Sequence, residues 1–178
     1  MGRSAALYLE KLGRIMVEIR QADDCDFGRI WTIFQNVVSK GDTYAFSPDT
    51  TRTEAYQLWM KSPTATYVAV QEGEVIGTYY IKPNQPDLGS HVCNAGFMVD
   101  FKAQGQGIGR ALGEHSLIEA KKFGFKAMQF NFVIVNNKGA VKLWLKLGFS
   151  IIGTLPKAFQ HKELGFVDVF VMYKLLET

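Results

Sequence analysis

Glycines alternate with larger residues along Gln104-Gly105-Gln106-Gly107-Ile108-Gly109-Arg110, and this run separates a strand signal from a helix signal. Upstream, about Ser90 to Val99 reads as a long strand. Downstream, Gly107 to about Phe123 has helical spacing. Glycine lacks a Cβ and accepts unusual dihedrals, so successive N–H groups can converge on a ligand. A helix start adds unpaired N–H donors and the positive end of the dipole. Together these features make a phosphate site. A dinucleotide fingerprint needs G-x-G-x-x-G, and these glycines run G-x-G-x-G; a P-loop needs a Lys that does not follow. A glycine-rich turn with no ligand stays open.

The rest of the chain arranges itself around that loop. Met16 to Arg20 alternates as a strand, after an extension at 1–15 that is either a short helix or unstructured. Asp23 and Asp24 offer caps for a helix to Lys40, with Phe27, Ile30, Trp31, Phe34, Val37 and Val38 on its apolar face. A second helix runs from about Thr53 to Lys61. Tyr67–Val70 and Val75–Ile81 flank Glu72-Gly73-Glu74 as a hairpin. After the glycine loop come a strand at 127–133, a helix from Lys138 to Leu147 and strands at 149–154 and 167–174. A connection from Leu155 to Gly165 joins the last two. Hairpins followed by strand–helix–strand units imply an α/β (α+β) domain over 16–178 with a mixed sheet.

Composition excludes several classes of function. Of 178 residues, 47% are hydrophobic and 21% charged, which fits a globular domain and not a disordered one. The net charge of +3 comes without any Lys/Arg run, so no nucleic-acid surface is expected. No stretch is long and apolar enough to span a membrane, and no secretory core is visible at the N-terminus; a cytoplasmic location is the expectation. Two Cys and three His have no metal-ligand spacing, so no metal is expected and both thiols read as reduced.

Two motifs carry a resemblance. Gln104-x-x-Gly107-x-Gly109, preceded by Phe97-Met98-Val99, resembles the acetyl-CoA loop of the GNAT superfamily of N-acetyltransferases. Asn137-Lys138-Gly139-Ala140-Val141-Lys142-Leu143-Trp144-Leu145-Lys146-Leu147-Gly148-Phe149 is similar to its second signature, N-x-x-A-x-x-L-Y-x-x-x-G-F. The resemblance spans about Met16 to Leu176. It implies a single-domain GNAT fold, with a mixed seven-stranded sheet, a splayed central strand pair and about four helices. It further implies an acetyl-CoA-dependent N-acetyltransferase in which the amine attacks the thioester directly. Phe97, Met98 and Val99 would hold the pantetheine arm, with Phe97 at the reacting thioester. Gln104, Gly105, Gln106, Gly107, Ile108, Gly109 and Arg110 would hold the pyrophosphate, and Asn137 and Trp144 would flank the arm.

Acyl transfer also needs a neutral amine and a route for protons. Tyr often stands in the family where this chain has Trp144, and that Tyr is proposed to protonate the leaving thiolate. Indole cannot, so the role is vacant, with Tyr44 and Tyr173 as candidate substitutes. The strand from Ser90 to Val99 has no carboxylate; its polar residues are Ser90, His91 and Asn94. His91 titrates in the neutral range in principle, although a His at a strand start is more often structural.

Segments 93–99, 128–133 and 143–149, with Ile152-Gly153-Thr154-Leu155-Pro156, also resemble the fungal proline-analogue acetyltransferases, which act on azetidine-2-carboxylate. That resemblance implies that Asn94, Asn131 and Asn137 contact a small cyclic amino acid, with Asn94 and Asn131 central to catalysis. Amides can serve a ring nitrogen and a carboxylate together. Read on residues alone, each Asn equally suits a local backbone bond, most of all Asn137 ahead of a helix. Tyr44 and Phe46 would wall the acceptor site. The implied partner is a small-molecule amine or imino acid, and a homodimer is allowed. Acetylation of an antibiotic- or herbicide-like amine, and a non-catalytic acyl-CoA-binding module, remain as alternatives.

Overall fold

A computed structural model of the chain describes residues 10–12 and 15–176. Its elements, in order, are β1 (Glu10–Leu12), β2 (Ile15–Gln21), α1 (Phe27–Val38), α2 (Arg52–Tyr56), β3 (Ala65–Gln71), β4 (Glu74–Pro83), β5 (Val92–Val99), α3 (Ile108–Lys122), β6 (Ala127–Ile134), α4 (Lys138–Lys146), β7 (Ser150–His161) and β8 (Gly165–Leu175). The sheet order is β1-β2-β3-β4-β5-β6-β8-β7. Among the described residues only β5 and β6 run parallel; every other neighbouring pair is antiparallel. The seven strands that the resemblance implies are β2 to β8. The three-residue β1 adds an edge within the expected extension, whose residues 1–9, 13 and 14 lie outside the described residues.

Local chemistry explains most boundaries. Asp23 accepts from the Cys25 N–H, and Asp26 closes a capping box before α1. Thr51 and Glu54 form another at α2. The helix expected at 53–61 starts one residue earlier and widens into a π turn over Gln57–Lys61. In α1 the apolar face holds, but Ile33 is buried while Trp31 and Val37 are only partly covered. Ser90 ends a short 3₁₀ turn, so β5 begins at Val92.

One expectation fails. The segment Leu155–Gly165 is not a loop connection: β7 continues through it to His161 and pairs with β8 up to His161↔Gly165. Pro156 and the positive φ of Lys157 (51°) sit where the register shifts between Leu155 and Phe159. They mark a bulge, not the end of the strand.

Helices cover both faces of the sheet. α1 and α2 enclose a cluster around Phe34, Trp59, Tyr80 and Met98. α3 and α4 enclose another around Tyr79, Leu112, Phe130, Trp144 and Phe149. Trp59 is fully buried, and its indole N–H donates to Thr78 Oγ1 at 3.0 Å. Removing a side chain of that size costs about 3–5 kcal/mol. Tyr79 and Phe97 thus face α3 and α4, whereas Tyr80 and Met98 face α1 and α2.

Candidate functional site

The sheet comes apart in its middle. β5 and β6 pair only at Val92↔Ala127 and Cys93↔Met128, and beyond that point β6 carries an irregularity between Phe130 and Val133 in its pairing with β8. The Asn84 N–H donates to Val92 C=O and the Asp100 N–H to Ile76 C=O, both at 2.8 Å. With an unbroken register between them, the even-numbered residues of β5 bond to β4. The N–H and C=O groups of Ala95, Phe97 and Val99 therefore face β6, across a gap where no strand meets them. Buried backbone groups require partners, so this edge is built to receive an extended ligand with amide groups.

Two side chains already reach into the gap. The Tyr44 hydroxyl donates to the Phe97 carbonyl at 2.7 Å. Asn94 Nδ2 donates to the Gln129 carbonyl on the opposite strand at 2.9 Å. Asn94 is thus a bridge that satisfies a carbonyl freed by the splay, as the local-backbone reading anticipates for half of its amide. Its Oδ1 lies 3.5 Å from the Tyr80 hydroxyl. Asn131 does not face it across a direct bond; it is exposed, and its Oδ1 accepts from Gln129 Nε2 at 3.2 Å. Asn137 caps α4, its Oδ1 accepting from the Ala140 N–H at 3.1 Å.

The glycine loop has the geometry its sequence requires. Gly105 and Gly107 have φ of 77° and 86°, and Gly107 is the N-cap of α3 without a capping side chain. The first helical bond runs from the Ala111 N–H to the Gly107 carbonyl. The loop is anchored behind: Asp100 accepts from the Lys102 N–H at 3.0 Å and pairs with Arg29 at 3.0 Å.

A cavity of about 760 Å³ joins these parts. It is lined by Phe97 and Val99, by Gln104, Gly105, Gly107, Ile108 and Gly109, by Asn137 and Trp144, and by Tyr44, Phe46, Asn94 and Asn131. Three expected residues lie off it. Met98 is buried on the α1/α2 face and lines only an adjoining cleft of about 520 Å³. Gln106 turns its amide to the Lys102 carbonyl, and Arg110 pairs with Glu114 on the helix surface at 2.8 Å. Trp144 packs against Phe97, Phe130 and Phe149. Its ring has room because Gly113 has no Cβ, which would sit 3.2 Å from it.

Tyr80, Lys82 and Asn84 also line the cavity and carry no motif. Tyr80 and Lys82 share one face of β4 by their i, i+2 spacing, and Asn84 follows just past the strand end, a signal that has meaning only once β4 is known to lie beside β5. No Asp or Glu lines this cavity among the described residues. The adjoining cleft is lined by Asp42 and His161, among others. His91 is exposed near the Leu88 carbonyl, and neither it nor Tyr173 lines either space. Burial pushes the Tyr80 phenol up to about 12. Burial and the neighbouring Tyr80 hold the Tyr44 phenol well above its ordinary value. Both therefore donate hydrogen bonds at neutral pH and are poor acids.

The arrangement suits a thioester donor. An open strand edge offers pairing to amides, and a helix N-terminus with left-handed glycines offers N–H groups to phosphate. Comparison with known proteins agrees. The profile of the acetyltransferase (GNAT) family matches residues 27–149. N-acetyltransferase aca1 of Schizosaccharomyces pombe is 32% identical over 151 residues, covering 75% of this chain and 72% of that protein. The L-amino acid N-acetyltransferase AaaT of Escherichia coli is 30% identical over 109 residues, covering 61% of this chain and 66% of that one. The structure of a GCN5-related N-acetyltransferase from Kribbella flavida superposes with a TM-score of 0.86 at 44% identity, over 89% of this chain and 97% of that one. With the splayed strands, the glycine loop and these relatives together, the chain belongs to the GNAT family and is an acetyl-CoA-dependent N-acetyltransferase.

Proposed function

We propose that this enzyme acetylates the nitrogen of a small amino or imino acid, a proline analogue such as azetidine-2-carboxylate being the fitting case. One observation carries the reading: the cavity beside the splay offers amides, phenols and a lysine, and no carboxylate among the described residues. A polycationic acceptor would meet no counter-charge there, whereas an acceptor with its own carboxylate meets donors. The name of the Escherichia coli relative, an L-amino acid N-acetyltransferase, supports the same class. So does the resemblance of segments 93–99 and 128–133 to the proline-analogue enzymes.

Bound acetyl-CoA supplies an activated acetyl group; the chain's part is placement. Phe97 and Val99 offer main-chain groups to the arm, and the first turn of α3 offers N–H groups to the pyrophosphate. Tyr44 and Phe46, stacked 5.5 Å apart, wall the acceptor side. The acceptor nitrogen forms a bond to the carbonyl carbon as the carbon–sulfur bond breaks. Its proton passes to water, since no carboxylate base lines the cavity among the described residues. Release of free thiol from acetyl-CoA across imino acids, amino acids, aminoglycosides and polyamines tests the proposal. Turnover with imino or amino acids is expected; turnover with polyamines or aminoglycosides alone overturns it.

A further inference from the structure

Lys82 is the one lysine or arginine that lines the cavity among the described residues. It stands on β4 directly opposite Asn94, and its stem leans back one rung, so that Nζ lies 5.4 Å from the centre of the Tyr80 ring. Tyr80 in turn is paired with Gly96, the residue before Phe97. The ammonium therefore sits at the level of the reacting end of the gap, on the α1/α2 face. It makes no ion pair among the described residues, and no Asp or Glu among them lines the cavity. One rung further out, Asn84 lines the same cavity, and its Oδ1 is buried with no hydrogen-bond partner. That oxygen is closed off from solvent, whereas Lys82 lines the cavity as an unpaired cation open to an anionic ligand.

We propose that Lys82 is the specificity residue that holds the carboxylate of the acceptor. The inference rests on the amino- or imino-acid reading and names the residue that enforces it. A carboxylate at Lys82 draws its charge from a cation held over an aromatic face, with Asn94 and the Tyr80 hydroxyl at hand. The acceptor nitrogen is then left pointing toward Phe97. Lys82 does not touch the pyrophosphate loop, so it acts on which amine is chosen and not on the donor.

The test uses the full chain and three acceptors: azetidine-2-carboxylate, its carboxamide, and azetidine. Lys82→Met keeps the stem and removes the charge; Lys82→Arg keeps the charge. The ratio of kcat/KM for the acid over the carboxamide should fall roughly 10- to 150-fold in Lys82→Met. It should survive in Lys82→Arg. Calorimetric binding of azetidine-2-carboxylate to the enzyme without acetyl-CoA should weaken in parallel, while acetyl-CoA affinity reports that the variant is folded. If the wild type acetylates the acid and the ratio is unmoved in Lys82→Met, the Lys82 assignment falls and the acceptor reading stands. If the wild type neither binds nor acetylates any carboxylate-bearing acceptor, the acceptor reading falls and Lys82 with it.

Discussion

Gly96 is the position where packing and acceptor recognition are most tightly coupled. It lies opposite Tyr80, and a Cβ built on it would stand 2.6 Å from Tyr80 Cε1, 2.9 Å from Cζ and 3.0 Å from the hydroxyl oxygen. Carbon atoms in contact prefer about 3.5–4.0 Å, so Gly96→Ala forces the ring back by roughly 1 Å. The ring has little room: it is 7% exposed and meets Trp59 edge-on at 4.8 Å. Overpacking of this kind costs about 1–3 kcal/mol. Against it stands the ordinary gain of replacing a strand glycine by alanine, about 0.5–1 kcal/mol. The clash wins, and Gly96→Ala should lose stability in urea denaturation. Acceptor KM should also rise, because the displaced ring carries the hydroxyl away from Asn94 and shifts the surface under Lys82. The sign must invert when the obstacle is removed: in a Tyr80→Ala background, Gly96→Ala should stabilise by about 0.5–1 kcal/mol. A Gly96→Ala variant that is equally destabilised in both backgrounds would refute the argument.

Four further outcomes are expected. Gly107→Val puts a β-branched residue at φ 86° and a side chain on the face of the loop, so acetyl-CoA affinity measured by calorimetry should drop; a folded variant with unchanged affinity removes the loop assignment. Asn94→Ala orphans the Gln129 carbonyl and should cost about 1–3 kcal/mol of stability as well as acceptor kcat/KM. Exposed Asn131→Ala should stay within about 0.5 kcal/mol in stability yet still slow acetylation of the acceptor, and wild-type rates in both variants would make these asparagines scaffold alone. The rate should climb with pH toward the acceptor's own pKa. A protein ionisation in the rate profile that disappears in His91→Ala would contradict this. The buried phenols predict the stability limb: because their folded values are raised, stability is complete below pH about 10 and is lost as pH rises from there, toward about 12 for Tyr80. Tyr80→Phe should reduce that alkaline loss in a melting series.

The sequence by itself determined whatever depends on residues close together in the chain. The glycine run marked where unusual dihedrals are accessible, and of its three glycines Gly105 and Gly107 use them while Gly109 is helical. Asn137 had to cap α4, because a side-chain oxygen ahead of a helix finds an N–H three residues on. The apolar period of α1 was legible for the same reason. The tertiary structure decided what depends on which strands meet. Leu155 to His161 reads as a loop from Pro156, and only pairing with β8 makes it strand. The gap beside Phe97 exists because β5 and β6 part after two rungs, near where the pairing of β6 with β8 is also irregular. Lys82 looks like an ordinary strand-end lysine until β4 is laid against β5 with Asn94 opposite. Local backbone preference acts over a few residues and can be read in one dimension; the register between strands is fixed by the packing of the whole sheet, and here that register makes the site.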